Sequence, residues 1–285
     1  MLKQRIYTAI ALLIVLCAAL WAPSAWPLAL LLSLAAACAL WEWLRLTWRR
    51  PDTYFPVAIA VVLGVFFLSS LYGLFRATTA FSLPGFDNGL VRWVLPFTAL
   101  AWIVGATALV VQGQSQARSG ARLLSIFGVI AIVAVWFSLI ALFLGFGWWF
   151  LLSLMAMVWF ADIGAYFAGR AFGRHKLAPR VSPGKTWEGA CGGIFFATLW
   201  VLLSTQWNGS FGGVLAERYP LAIVALIAIA LAALSIVGDL FESLLKRRAG
   251  VKDSSQLLPG HGGVLDRIDA LLPVVPVAYL LVVAA

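Results

Sequence analysis

The side chains able to do chemistry crowd into one run, Gly238 to Asp269, GDLFESLLKRRAGVKDSSQLLPGHGGVLDRID. Ionisable groups near hydrocarbon are costly and usually mark a site, so an otherwise apolar chain has little structural use for charge there. Asp239, Glu242, Ser243 and Lys246 follow helical spacing and share one side of a helix end. His261, Gly262 and Gly263 then turn the chain into a last apolar segment, where Asp266 and Asp269 bracket Arg267. Two acid pairs at adjacent helix ends, Asp239 with Glu242 and Asp266 with Asp269, face several lysines and arginines. That pattern suits a polyphosphate bound through magnesium: hard oxygen ligands hold the ion and the basic residues neutralise the phosphates. Plainer accounts exist for single members. Glu242 and Lys246 fit an ordinary surface ion pair worth a few tenths of a kcal/mol, and carboxylates in the first turns of a helix are favoured by its dipole.

A second polar cluster runs from Ala161 to Gly189. Asp162, Tyr166 and Arg170 recur every four residues and share a helix face. Asp162 lies about two turns inside the hydrocarbon boundary, where an unpaired carboxylate costs roughly 2.5 to 3.5 kcal/mol. It needs a cation, a metal or water: an ion pair with Arg170 or another helix, or a metal or cationic partner in a cavity open to the cytoplasm. SPGKT, Ser182 to Thr186, looks like the end of a phosphate-binding P-loop, but Pro179 stands where the motif needs glycine and no strand is expected before it. Lys185 and the start of the next helix still offer an anion a cation and backbone N–H groups. Glu188 is placed to pair with Lys185 or to act as a ligand.

The elements that must position these groups are membrane helices. Of 285 residues, 63% are hydrophobic and 11% charged, and mean hydropathy is +0.99; one soluble core could not hide that much apolar surface. The expected fold class is all-α, a polytopic integral membrane protein. Hydropathy divides the chain into about nine spans, near 5–22, 26–46, 56–75, 92–112, 122–143, 148–168, 187–206, 219–241 and 264–284. A cleaved leader competes for the first span, but it lacks a clean small-x-small cleavage site and the next span follows at once. Residues 1–145 read as N-terminal scaffold helices, and residues 146–285 as a catalytic region with polar loops.

Basic residues fix the expected orientation. With the N-terminus in the cytoplasm, Lys3, Arg5, Arg45, Arg49, Arg50, Arg118, Arg122, Arg170, Arg174, Lys176, Arg180, Lys185, Lys246, Arg247, Arg248, Lys252 and Arg267 share one side. Only Arg76, Arg92 and Arg218 fall on the other, a strong positive-inside bias. The net charge of +9 therefore lies on the cytoplasmic face. No reading helix or stacking sheet accompanies it, which argues against nucleic acid. Cys17, Cys38 and Cys191 form neither a disulfide framework nor a zinc motif. Trp41, Trp43, Trp48, Trp148, Trp149 and Trp187, near span ends, are expected as interface anchors.

Ser243, Leu245, Lys246, Arg247, Lys252, Asp253, His261, Gly262, Gly263, Asp266, Arg267 and Asp269, with their gaps, resemble the signature of the phosphatidate cytidylyltransferases, also called CDP-diacylglycerol synthases. The Asp162 to Gly189 segment is similar to that family as well. The resemblance implies a magnesium-dependent integral membrane enzyme that condenses CTP with phosphatidic acid to CDP-diacylglycerol and pyrophosphate, a homodimer with a cavity open to the cytoplasm. The implied setting is the bacterial inner membrane.

On this basis the expected mechanism is in-line attack of a phosphatidate oxygen on the α-phosphorus of CTP, with no covalent enzyme intermediate. Asp239 and Asp266 are the first candidates for metal ligands, followed by Glu242, Asp269 and Asp162. Lys246, Arg247, Lys252, Arg267, Lys185 and Arg170 are candidates for phosphate binding. Ser243, His261, Gly262 and Gly263 would shape the substrate site, and Asp253 would fix the lysines. Two other functions fit parts of the pattern. A transporter of anionic substrates predicts polar groups at the bilayer midplane and related halves, whereas here they gather at one face of one half. A CTP-dependent lipid kinase would release CDP rather than pyrophosphate.

Overall fold

The computed structural model describes residues 2–48, 54–76, 89–114 and 121–283. Arg49, Arg50, Arg118, Pro84, Gly85 and Asn88 lie outside them. The helices are α1 (Leu2–Trp21), α2 (Trp26–Thr47), α3 (Phe55–Arg76), α4 (Leu90–Gln112), α5 (Ala121–Phe172), α6 (Trp187–Ser204), α7 (Phe211–Arg218), α8 (Leu221–Ala249), α9 (Leu265–Ile268) and α10 (Leu271–Val283). Between α5 and α6 lies an antiparallel hairpin, β1 (Lys176–Ala178) with β2 (Ser182–Thr186). The all-α expectation holds apart from this hairpin.

Among the described residues, α2, α4, α5, α6 and α8 are long and apolar enough to cross a bilayer, and α1, α3 and α10 carry shorter apolar stretches. At 52 residues α5 is too long for one crossing. It breaks at Gly147, whose φ of 83° and ψ of −179° suit only a residue without a Cβ. The break falls between the fifth and sixth expected spans. Pro27 sits in the first turn of α2, where its missing N–H costs nothing.

Helix α2 is central, packing against α3, α5 and α8. Polar contacts lock it to α5: Trp136 Nε1 donates to Ser33 Oγ (2.9 Å), Trp43 Nε1 to Leu124 O (2.8 Å), and Thr47 and Ser125 share a hydroxyl contact of 2.8 Å. Between helices in lipid, such bonds and close packing replace the hydrophobic drive. Trp43 corrects the interface-anchor expectation. It is fully buried, its ring among Trp102, Phe127 and Phe241. Gly128 makes room, since a Cβ there would lie 2.1 Å from the indole nitrogen. Trp187 and Trp148 are exposed as expected.

The second half of α5 packs on α6 through small residues. A Cβ on Gly192 would meet Ala168 Cβ at 2.3 Å, and one on Gly193 would meet Ala161 O at 2.6 Å; only glycine allows this approach. The last apolar helix begins at Leu271, not near residue 264. Before it the chain makes the short helix α9, which carries Asp266 and Arg267 outside that helix.

Candidate active site

The site is assembled where α5, the hairpin, α8 and the α8–α10 connection meet. A cavity of about 620 Å³ is lined by Asp162, Tyr166 and Arg170 from α5, Lys185 from β2 and Asp239 from α8, among others. The i, i+4, i+8 spacing does put the three α5 residues on this wall. Arg170 does not pair with Asp162, however: its Nη1 donates to the Tyr166 hydroxyl at 3.0 Å. Asp162 stays open to the cavity, where the charges of Asp239, Lys185 and Arg267 act on it.

The hairpin exists to deliver Lys185. Lys176 pairs with Thr186 and Ala178 with Ser182, while Arg247 Nε donates to Val181 O at 3.3 Å and ties the turn to α8. So held, Lys185 donates to Asp239. SPGKT is thus an extended strand rather than a P-loop, and a short strand does precede it. Thr186 caps α6 by accepting from Gly189 N–H (3.1 Å). Among the described residues Glu188 does not pair with Lys185. It accepts from the backbone N–H groups of Arg174 (3.1 Å) and His175 (3.3 Å) and contacts His175 Nδ1 at 2.7 Å. Its work is to anchor the entry to the hairpin.

Behind the cavity lies a second, buried layer. Lys246 Nζ donates to Glu242 Oε2 (2.5 Å) and to Asp266 Oδ1 (2.6 Å). Glu242 is 1% exposed, so this is no surface ion pair. Asp266 also accepts from Gly263 N (2.7 Å), Ser254 N (3.1 Å) and Ser254 Oγ (2.9 Å). Burial alone would raise its pKa. The neighbouring Glu242 carboxyl, Lys246 and the Gly263 amide outweigh burial and hold it below the usual carboxylate range.

The sequence profile of the cytidylyltransferase family matches residues 3–285. A Haemophilus influenzae protein named phosphatidate cytidylyltransferase is 36% identical over 97% of this chain and 96% of its own. A Pseudomonas aeruginosa protein of the same name is 40% identical over 100% of this chain and 98% of its own. The chain belongs to the cytidylyltransferase family. A third relative of that name, from Bacillus subtilis, is 45% identical over 44% of each chain.

In this chain the carboxylates group differently from the two helix-end pairs expected. Asp162, Asp239 and Asp269 feel one another's charge around Lys185, while Glu242 and Asp266 share Lys246. Asp269 also accepts from Ala270 N (2.8 Å). Arg267 donates to His261 O (2.7 Å) and thereby holds the glycine turn; His261 Nδ1 is buried with no hydrogen-bond partner among the described residues. Ser243 is half-buried on α8. Lys252 and Asp253 lie exposed, and among the described residues neither makes an ion pair. Gly262 has φ 83°, and a Cβ there would lie 2.6 Å from Asp266 Oδ2.

Asp162, Asp239 and Asp269 offer the hard oxygen atoms magnesium prefers. Among the described residues no three acidic, histidine or cysteine side chains are gathered to hold an ion by themselves. That still fits magnesium, which usually binds one or two carboxylates and completes its shell with water and substrate phosphates.

Sequence reasoning missed Glu42. It comes from α2, in the half taken as scaffold, and is fully buried. Its carboxylate accepts from Ser254 Oγ (3.0 Å), Ser255 Oγ (2.5 Å), Val264 N (3.0 Å) and Leu265 N (2.6 Å). The signal was present: a lone acid in a membrane helix is expensive and demands a partner.

Proposed function

We propose that this chain transfers CMP from CTP to phosphatidic acid, giving CDP-diacylglycerol and pyrophosphate for phospholipid synthesis. The observation that carries the proposal is the match, along nearly the whole chain, to proteins named phosphatidate cytidylyltransferase. A phosphatidate oxygen attacks the α-phosphorus of CTP; the bond to the bridging oxygen breaks and pyrophosphate leaves. Lys185, open to the cavity, and Arg170 bind phosphate oxygens, with Arg267, Lys252 and Arg247 adding positive charge around the entrance. Lys246, locked between Glu242 and Asp266, keeps the α8 end and the glycine turn in fixed register. His261 and Ser243 orient phosphate oxygens. Asp239, with Asp162 and Asp269, would hold a magnesium ion, which supplies charge neutralisation on the transferring phosphoryl group. Glu242, which is 1% exposed, and Asp266, which also accepts from the Gly263 and Ser254 amides, are further from this role.

Nine crossings follow if α5 counts as two spans and the shorter apolar helices also cross. The basic residues then support a cytoplasmic N-terminus and a cavity open to the cytoplasm, in a bacterial inner membrane. The lipid headgroup enters between helices and CTP arrives from water. The family resemblance supports a homodimer.

The test is product analysis with purified protein, CTP, magnesium and phosphatidic acid, omitting each in turn. Pyrophosphate and CDP-diacylglycerol in equal amounts, formed only when all are present, are the expected outcome. CDP with a phosphorylated lipid would instead mark a kinase.

A further inference from the structure

We propose that Glu42 is a positioning residue for this reaction, holding the loop from Ser254 to Leu265 so that Asp266 and Lys246 stand correctly behind the cavity. The inference rests on the cytidylyl-transfer function above and adds a residue from the other half of the chain.

All four donors to Glu42 come from the connection between α8 and α10: two serine hydroxyls and the two amides that open α9. They approach both carboxylate oxygens at 2.5 to 3.0 Å. Such bonds to a charged acceptor are among the stronger ones a protein makes. Among the described residues no lysine or arginine pairs with Glu42. Among the described residues every donor to this carboxylate is a loop group, so the carboxylate and the loop conformation require each other.

The hold reaches the site through one atom. Ser254 Oγ lies 3.0 Å from Glu42 Oε2 and 2.9 Å from Asp266 Oδ2, so its single hydroxyl hydrogen is shared between the two carboxylates, and the opposite oxygen of Asp266 accepts from Lys246. Glu42 is thus one hydroxyl away from the carboxylate that fixes Lys246. Gly263 shows how close the fit is: a Cβ there would stand 2.5 Å from both Glu42 oxygens and 2.1 Å from Ser254 Oγ. The glycine after Gly262 is therefore needed for access to Glu42 rather than for its own backbone angles. The base of this clamp is rigid, because neighbouring Trp43 anchors α2 to α5 through Leu124.

Glu42→Gln keeps the volume but replaces one acceptor oxygen by an amide donor, facing groups that can only donate or that already do. Gly263→Ala leaves the carboxylate intact and pushes the loop off it. If Glu42 positions the reacting groups, both variants lower kcat about 10- to 100-fold, the scale for an ångström-sized misplacement, with KM for CTP within about twofold of wild type. Hydrogen exchange of the 254–265 amides rises in both while that of the α8 interior does not. The measurement is made on full-length protein in lipid nanodiscs, with specific activity normalised to the monodisperse fraction.

Near-normal kcat in folded Glu42→Gln overturns the proposal. So does a loss confined to KM, or one that disappears on normalising to folded protein. If wild type makes no CDP-diacylglycerol, the assigned reaction fails instead; the exchange comparison then still decides whether Glu42 holds the loop, and unchanged exchange in Glu42→Gln overturns that too.

Discussion

Lys185 on the β-hairpin and Asp239 on α8, 54 residues apart, meet side chain to side chain in the wall of the cavity. The contact joins the two polar segments of the chain into one site. It also sets the charge balance, because Asp162 and Asp269 act electrostatically on the same pair. Asp239→Asn and Lys185→Met are each expected to cut kcat by about 100-fold or more, the scale for removing a group that stabilises developing charge. If the pair merely braced the fold, the doubly neutral protein would recover; pyrophosphate release is expected to stay at the single-variant level.

Lys246→Met strips the shared cation from Glu242 and Asp266 and leaves charge buried without a partner. A loss of about 3 to 5 kcal/mol is expected. Adding Glu242→Gln to Lys246→Met should return part of it, with a coupling between about 0.5 and 3 kcal/mol. Thermal unfolding of the four proteins of the cycle in one detergent measures this; strict additivity would mean that the two side chains do not interact.

Asp266 gives a pH-dependent contribution whose sign follows from its lowered pKa. A depressed folded-state value means stability present above the unfolded value, about 3.9, and lost as pH falls through the lower folded one. The stability difference between wild type and Asp266→Asn should be flat from about pH 8 to pH 5 and narrow only below about pH 4. A difference that shrinks between pH 7 and pH 6 would contradict this.

Two glycines with positive φ separate strain from site damage. Gly250 ends α8 at φ 74° with open space where a Cβ would go, so Gly250→Ala should cost only about 1 to 2 kcal/mol of backbone strain and keep turnover. Gly262→Ala carries the same strain and also drives a methyl group into Asp266. Its kcat should fall at least tenfold below that of Gly250→Ala at a temperature where both are folded. Equal activity in the two would remove Asp266 from the site.

Orientation is open to labelling. Gln256 is exposed on the α8–α10 connection, whereas Ser254 is buried. In a background without Cys17, Cys38 and Cys191, Gln256→Cys should react with an impermeant maleimide in inside-out vesicles and not in intact spheroplasts. The reverse pattern would invert the topology.

Much of the site was legible beforehand because membrane chemistry makes charge conspicuous. Asp162, Asp239, Glu242, Lys246, Asp266 and Asp269 stand out in hydrocarbon-rich surroundings, and helical spacing alone puts Asp162, Tyr166 and Arg170 on one face. Pairing was legible only within α8, where i, i+4 spacing put Glu242 with Lys246; between elements it was not. Spacing along α8 suggested Asp239 with Glu242, but the hairpin brings Lys185 to Asp239 while Lys246 turns to Glu242 and Asp266. Trp43 was misjudged because a tryptophan near a span end resembles an anchor until neighbouring helices close over it.

The sequence by itself determined the class of protein, the apolar stretches, where the basic residues fall along the chain and the family signature, since these depend on composition and local order along the chain. Only the tertiary structure decided which carboxylate meets which cation, that SPGKT is a strand aiming a lysine, and that Glu42 from the first half clamps the loop of the second. Apart from Glu242 with Lys246, those contacts join residues 20 to 223 positions apart. Their partners are chosen by how the helices cross, through close approaches such as Gly192 on Ala168 and the aromatic packing around Trp43, and no local pattern encodes that choice.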